Sequence, residues 1–250
     1  MLLAIDCGNS NTVFALYEGE HQRAQWRLST DPRRSPEATA EWLARAMAAD
    51  GFALDVVRTA IIGNVVAAMA EPLRQLGGLC GVAASMAEDI LPRTGLPLRV
   101  ERPDLLGIDR ALNAFAAARR YRLPAVVVDF GTATKFDVIA ADGAYEGGAI
   151  CPGFELGLAA LHSRLARVPA VALRRPDRII GRSTEAAVSA GALWGYIGLV
   201  EGLLARIERE VGQPVTTVAT GGIAPALLPL TAVFHHHAPH LTLDALALLA

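Results

Sequence analysis

Two segments of this chain follow the same plan 129 − 6 = 123 residues apart, and that repetition constrains the fold more than any other feature. Residues 2–5 are a short apolar run that stops at the turn DCGNSN (Asp6 to Asn11), after which residues 12–19, TVFALYEG, resume in strand-favouring types. Residues 125–128 repeat the run, followed by the turn DFGTAT (Asp129 to Thr134) and a second strand over 135–143 with its own Asp-Gly turn. Laid together without a gap, Asp6 falls on Asp129, Gly8 on Gly131, Asn9 on Thr132 and Asn11 on Thr134. A duplicated strand-turn-strand unit is the economical explanation. A second pair, AIIGNVV (60–66) and VATGGIA (218–224), is offset by 218 − 60 = 158 and is weak alone, because short apolar strands match by chance.

Alanine-rich stretches over 36–47, 109–121 and 184–211 carry apolar residues at helical spacing, and 98–103 reads as a further strand. Strands alternating with helices imply an α/β fold of two duplicated lobes, divided as 1–118 and 119–250. At 250 residues and 52% hydrophobic composition there is ample apolar material for a core. With 23 basic against 25 acidic residues, no strong field draws the chain to nucleic acid, so no such partner is expected. Cys7, Cys80 and Cys151 are odd in number and lack C-x-x-C spacing, which argues against a disulfide framework or structural zinc and fits a reducing cytoplasm. The apolar start is cut by Asp6 and has no basic flank, and no charge-free run reaches the ~20 residues of a membrane span. A cytoplasmic protein without a membrane partner is the expectation.

The turns suggest phosphate chemistry. Gly8 permits a tight turn in which backbone N–H groups and the Asn9, Ser10 and Asn11 side chains converge on phosphate oxygens, with Asp6 placed to hold Mg²⁺ directly or through water. One such turn is equally an ordinary hairpin whose Asp and Asn satisfy turn geometry. Two at the heads of two lobes favour a grip on polyphosphate, with Thr132 and Thr134 as hydroxyl donors and Ala133 small enough for close approach. Gly221 and Gly222, after Thr220 at another strand end, offer a side-chain-free surface for adenine or ribose. Asp109 opens a helix in the run Gly107, Ile108, Asp109, Arg110. It is either a simple N-cap or the carboxylate that takes the proton of an alcohol acceptor, with Arg110 orienting an anion. Trp194 and Tyr196 read as packing, Cys7 and Cys151 as small fillers, and three adjacent imidazoles at 235–237 cannot all face one metal from a strand.

Taken in order, these motifs resemble the type III pantothenate kinases of the actin-like, ribonuclease H-like ATPase superfamily, which phosphorylate pantothenate with ATP as the first step toward coenzyme A. The resemblance runs through DCGNSN, GIDRALNA (107–114), DFGTAT with the following Phe136 and Asp137, GGAICPG (147–153), LARVP (165–169), IGRST (180–184), SAGALWGYIGLVEGL (189–203) and TGG (220–222). It implies ATP contacts from Asp6, Cys7, Gly8, Asn9, Ser10, Asn11, Thr12 and Val13, from Gly131, Thr132, Ala133 and Thr134, and from Gly221 and Gly222. It further implies pantothenate contacts from Val100, Gly107, Ile108, Asp109, Arg110 and Thr184, with Asp109 as catalytic base. Mg²⁺ at Asp6, a potassium or ammonium ion at Asp129, and a homodimer whose partner completes the acceptor site are implied as well. The apolar helix over 190–207 is then an interface or a lobe core.

Four places depart from the family pattern. Lys135 stands where Thr is usual, and either stays solvated or puts its ammonium near Asp129 in place of the potassium ion. Val100 replaces a frequent Tyr, Gly157 a usual Ser, and residues 63–67 read GNVVA instead of Ser-Ser-Val-Val-Pro. A non-catalytic nucleotide-binding paralogue, or a kinase for another small hydroxy acid, therefore remain as alternative readings.

Overall fold

A computed structural model of the chain describes residues 1–164 and 175–250, so the LARVP segment lies outside the described residues. In chain order the elements are β1 (Leu2–Cys7), β2 (Asn11–Glu18), β3 (His21–Ser29), α1 (Pro36–Ala49), β4 (Thr59–Asn64), α2 (Ala70–Leu79), β5 (Ala84–Met86), α3 (Ala87–Ile90) and α4 (Ile108–Arg120). They continue with β6 (Ala125–Phe130), β7 (Ala133–Ile139), β8 (Tyr145–Pro152), α5 (Phe154–Arg164), α6 (Thr184–Val211), β9 (Thr216–Thr220), α7 (Ala224–Leu227), β10 (His236–His237) and α8 (Leu241–Leu248). The strand expected over 98–103 does not form. Leu98 makes a single bridge, and Pro97 just before the segment and Pro103 at its end remove ladder donors.

The chain divides into one unit of Met1–Arg120 with His240–Ala250 and a second of Tyr121–Pro239. The last eleven residues, assigned by sequence to the second lobe, therefore belong to the first. Side chains explain the correction. Tyr17, fully buried on β2, donates from its hydroxyl to Asp244 Oδ1 at 2.7 Å, and Arg120 at the end of α4 donates to Asp244 Oδ2. Thr242 donates to Asn113 Oδ1 at 2.8 Å, tying α8 to α4 a second time.

The first sheet has the order β3-β2-β1-β4-β5 and the second β10-β9-β6-β7-β8. In each, a central strand (β1 or β6) pairs antiparallel with the next strand and parallel with a later one (β4 or β9). Read from opposite ends, the two sheets have the same topology, as duplication requires. The register refines the alignment of the second pair. Ala4 faces Ile61 and Val127 faces Val218, so the equivalent offset is 218 − 61 = 157 and Gly63 corresponds to Thr220, not to Gly221.

Central strands are buried on both faces, which is why β1 and β6 read as unbroken apolar runs rather than alternating ones. β3 lies at an edge and alternates exposed and partly buried residues, with Trp26 its one fully turned-in side chain. α1 starts at Ser35, whose hydroxyl accepts from Ala38 N at 3.2 Å ahead of Pro36, and buries Thr39, Leu43 and Met47 at four-residue spacing. α6 is capped by Ser183 and closed by Gly212 in the left-handed conformation, φ 76°. Its buried stripe, Ala190, Leu193, Ile197, Val200 and Leu204, repeats at three and four residues, and from Leu193 onward it packs with Val126, Val128 and Phe130 of the second sheet. By length and composition α6 is also able to cross a membrane, but that stripe is the signature of a helix seated on a core.

Candidate active site

In the first unit, β1 delivers Asp6 half-buried to the mouth of the β1–β2 hairpin, followed by Gly8, Asn9, Ser10 and Asn11. Asn9 and Ser10 are exposed at the tip and Asn11 is half-buried. Gly8 has no positive φ; the reason for glycine is spatial, because a Cβ there would come 3.3 Å from Asn11 O while Gly8 N donates to that same carbonyl at 3.0 Å. Cys7, Thr12 and Val13 differ from the expectation. All three side chains turn into the protein, so any contact with a nucleotide is through their backbone. The Cys7 thiol accepts from Thr12 Oγ1 at 3.4 Å, and burial pushes it above the usual thiol range, which removes it as a nucleophile.

Thr30, which the sequence reading passed over, holds this turn from outside. Its hydroxyl donates to Gly8 O at 2.7 Å, its backbone N–H donates to Ser10 O at 3.1 Å, and Thr12 Oγ1 lies 3.0 Å from its oxygen. Nothing in the local pattern marks it. It lies one residue past the last pair of a polar edge strand, twenty residues from the turn it touches.

α4 brings Asp109 to the same unit. Leu112 of α4 lies against Gly63 of β4, where a Cβ would come 3.0 Å from Leu112 Cδ1, and Gly63 is the register partner of Asp6. Asp109, one turn before Leu112 on the same helical face, is half-buried. Its Oδ1 accepts from Arg110 N at 2.9 Å, and a side chain at Gly107 would come 2.7 Å from that oxygen, so only glycine leaves the carboxylate where it is. Arg110 is half-buried and Ile108 buried, while Val100 is half-buried on the preceding segment. Thr184 is exposed at the start of α6 in the second unit.

The turn of the second unit is not a copy of the first. Asp6 pairs with Val13, but Asp129 pairs with Lys135, so 13 − 6 = 7 steps in one hairpin become 135 − 129 = 6 in the other. The gapless alignment thus slips by one residue within the turn, and Lys135 takes the place across the ladder that Val13 holds in the first. Residues directly opposite in antiparallel strands point to the same face. The consequence is an ion pair, Lys135 Nζ to Asp129 Oδ2 at 2.7 Å, with the side chains 17% and 15% exposed. Gly131 and Thr132 are exposed and Ala133 half-buried. Gly153 closes the turn from β8, donating to Thr132 O at 3.0 Å, and no Cβ fits there because Gly131 O would be 2.4 Å away. Gly221, φ 92°, similarly approaches Phe130, where a Cβ would be 2.5 Å from the carbonyl oxygen, and Gly222 is exposed beyond it.

Thr134 departs from its expected role. It is fully buried, and its hydroxyl bonds the Tyr196 hydroxyl in a core with Phe130 and Phe154. Tyr196 is thereby a packing residue. Burial pushes its phenol up to about 12. Tyr17 is raised further by burial and by donating to Asp244. Both native phenols hold their proton more tightly than an unfolded tyrosine near pH ~10. Their contribution is therefore complete below about pH 10 and lost as pH rises through the folded values. Thermal melts followed by circular dichroism should be flat with pH up to about 9 and decline between about 10 and 12, and Tyr196→Phe should make that decline shallower. An equally steep decline in the variant would refute the assignment.

Of the three histidines, His235 accepts from Thr217 N through Nδ1 at 3.0 Å and His236 lies 4.9 Å from the Tyr121 ring, both structural roles. Among the described residues there is no group of three or more His, Cys, Asp or Glu able to hold a metal. A lone carboxylate at a phosphate turn nevertheless suits Mg²⁺, which keeps its waters and binds through one or two carboxylates plus substrate phosphates. The Asp129 carboxylate is different, because it already has an ammonium at contact distance.

Two sheets of matching topology, each headed by an Asp-x-Gly hairpin, are the architecture of the actin-like ATPases and sugar kinases. An activator of 2-hydroxyisocaproyl-CoA dehydratase from Clostridium difficile, solved with bound ADPNP, shares the fold with a TM-score of 0.55 at 12% identity, covering 99% of this chain and 92% of its own. A ROK hexokinase from Thermus thermophilus does so with a TM-score of 0.53 at 14% identity, covering 99% and 97%. Within that class, the chain belongs to the type III pantothenate kinase family, whose profile matches residues 2–206. A type III pantothenate kinase of Acidiphilium cryptum is 44% identical over 254 residues, spanning 100% of this chain and 94% of that protein.

Proposed function

We propose that the protein transfers the γ-phosphoryl group of ATP to the primary hydroxyl of pantothenate, forming 4′-phosphopantothenate and ADP at the first step of coenzyme A biosynthesis. The observation that carries this reading is family membership along nearly the whole chain together with Asp6, Asp109, Arg110 and Asp129 all standing at strand ends or a helix start. Asp109 takes the hydroxyl proton as the oxygen attacks the γ-phosphorus and ADP departs. In the first unit Gly107 keeps the carboxylate in place, Arg110 answers the acid end of the acceptor and Ile108 and Val100 its apolar part; in the second unit Thr184 is the acceptor residue that the family resemblance implies. Of the first unit, Asn9, Ser10, Asn11 and the backbone of residues 7–13 are the groups proposed for phosphate oxygens; of the second, Thr132 and its neighbours are proposed for ATP, and Gly221 and Gly222 for the adenosine. Asp6 would hold Mg²⁺, which when bound spreads the charge of the transferring group.

Lys135 supplies the positive charge at Asp129 that the family resemblance assigns to potassium or ammonium; the 2.7 Å ion pair supports this. A homodimer is supported by the apolar surface of the second unit. A groove of about 290 Å³ between α5 and α6 is lined by Phe154, Leu158, Leu161, Ala192 and Leu199, and Leu161 within it and Leu156 on the same helix are exposed. The cytoplasm suits an enzyme with three free cysteines.

Incubation with ATP, Mg²⁺ and pantothenate, with and without potassium, should yield phosphopantothenate by mass spectrometry. No product under any cation condition sinks the reading. A panel of other small hydroxy acids covers the acceptor change that Val100 and Gly157 raise. Product from one of these and none from pantothenate would move the assignment to that acid.

A further inference from the structure

We infer that Thr30 is a positioning residue for nucleotide binding, setting the direction of the amide groups in the first phosphate turn; this rests on the reading of that turn as an ATP site. Thr30 follows the last residue of β3 and continues its register. Ser29 faces Asn11, and the next pair is Thr30 with Ser10, joined by the 3.1 Å bond from Thr30 N to Ser10 O. An edge strand ordinarily contributes only that backbone bond. Thr30 adds a second, from its hydroxyl to Gly8 O at 2.7 Å. Two carbonyls of the turn, at Gly8 and Ser10, are therefore held by one residue.

Peptide planarity converts this into a statement about donors. In a trans peptide the C=O and the following N–H point in opposite directions. Drawing Gly8 O and Ser10 O toward Thr30 turns the N–H groups of Asn9 and Asn11 away from it. Successive N–H groups held in a concave turn are what binds phosphate oxygens, so their direction decides whether the turn grips an anion. The Thr30 hydroxyl gives its one hydrogen to Gly8 O and the Thr12 hydroxyl donates to Cys7 Sγ, while the two hydroxyl oxygens pack 3.0 Å apart. The chain Thr12 to Thr30 to Gly8 links a buried residue of β2 to the tip and leaves the turn little freedom to flip a peptide. Ordering paid in the folding of the free protein need not be repeated on binding ATP.

The hydroxyl, not the volume, is the essential group. Thr30→Val keeps shape and β-branching while removing the donor, and Thr30→Ser keeps the donor. Affinity for a non-hydrolysable ATP analogue, measured by calorimetry, should fall about tenfold in Thr30→Val and stay within about twofold of the parent in Thr30→Ser. In steady state the KM for ATP should rise in Thr30→Val while the KM for the acceptor is unchanged. Should Thr30→Val be too unstable to assay, Thr30→Ala serves with the same expectation. A valine or alanine variant that binds the analogue as tightly as the parent overturns the inference, as does equal loss in the serine variant. If the parent protein binds no ATP analogue, the reading of the turn as an ATP site fails instead, and the inference with it.

Discussion

Asp109→Asn is expected to lower kcat by about 10² to 10⁴, the usual contribution of a general base, with nucleotide affinity unchanged. The substitution is conservative for structure. An Asn oxygen can still accept from Arg110 N, the bond that Asp109 Oδ1 makes at 2.9 Å, so the start of α4 is preserved. It is severe for chemistry, because a neutral amide cannot take the proton of the attacking hydroxyl. Since the base acts in the transition state and not in binding ATP, the loss should fall on kcat, and the thermal midpoint should hold. A kcat within about threefold of the parent would show that Asp109 serves only as a helix cap.

Lys135→Thr carries the second large expectation: in the absence of potassium, activity should drop by roughly a hundredfold, about 2.7 kcal/mol, and return when potassium is added. The Asp129 carboxylate is 15% exposed, and its salt bridge to Lys135 is at contact distance. Removing one member of a largely buried pair leaves the other uncompensated, at a cost of about 3–5 kcal/mol where burial is complete and somewhat less here. An uncompensated carboxylate in a phosphate turn also repels the polyphosphate it should help hold. Threonine leaves space and an oxygen, so an added ion can restore the charge. The parent enzyme should turn over at the same rate with and without potassium. Potassium dependence in the parent, or a variant that potassium does not rescue, would refute the substitution of ammonium for ion.

Sequence reading succeeded where a local rule decided the outcome. The apolar runs that end at Asp6 and Asp129 are central strands buried on both faces, and such strands announce themselves without help from distant residues. α6 begins at Thr184 and ends at Val211 as its spacing predicts, because Ser183 is a strong start residue and Gly212 a strong stop residue. The failures share a cause in long-range structure. β3, with its run HQRAQWRLS, is a polar edge that only pairing with β2 makes a strand. The shorter second hairpin is invisible in an alignment that has no gap to reveal it, yet it is what sets Lys135 opposite Asp129. Its place in the motif makes Thr134 look like a donor, whereas the alternation of β7 turns it inward to Tyr196. Candidate residues were thus legible by type, and the direction of each side chain was not.

The return of α8 to the first unit bears on how the protein is made. Residues 121–239 are contiguous and can collect their own contacts as they leave the ribosome, whereas the sheet that begins with Leu2 waits for a helix more than 230 residues later in the chain. Until that helix is synthesised, the hydroxyl of Tyr17 and the guanidinium of Arg120 have no Asp244 to meet, and α4 lacks its cover. The half of the molecule translated first is therefore the half completed last. During that interval the nascent chain exposes apolar surface on α4 and β4, and it is there that a chaperone would find its purchase.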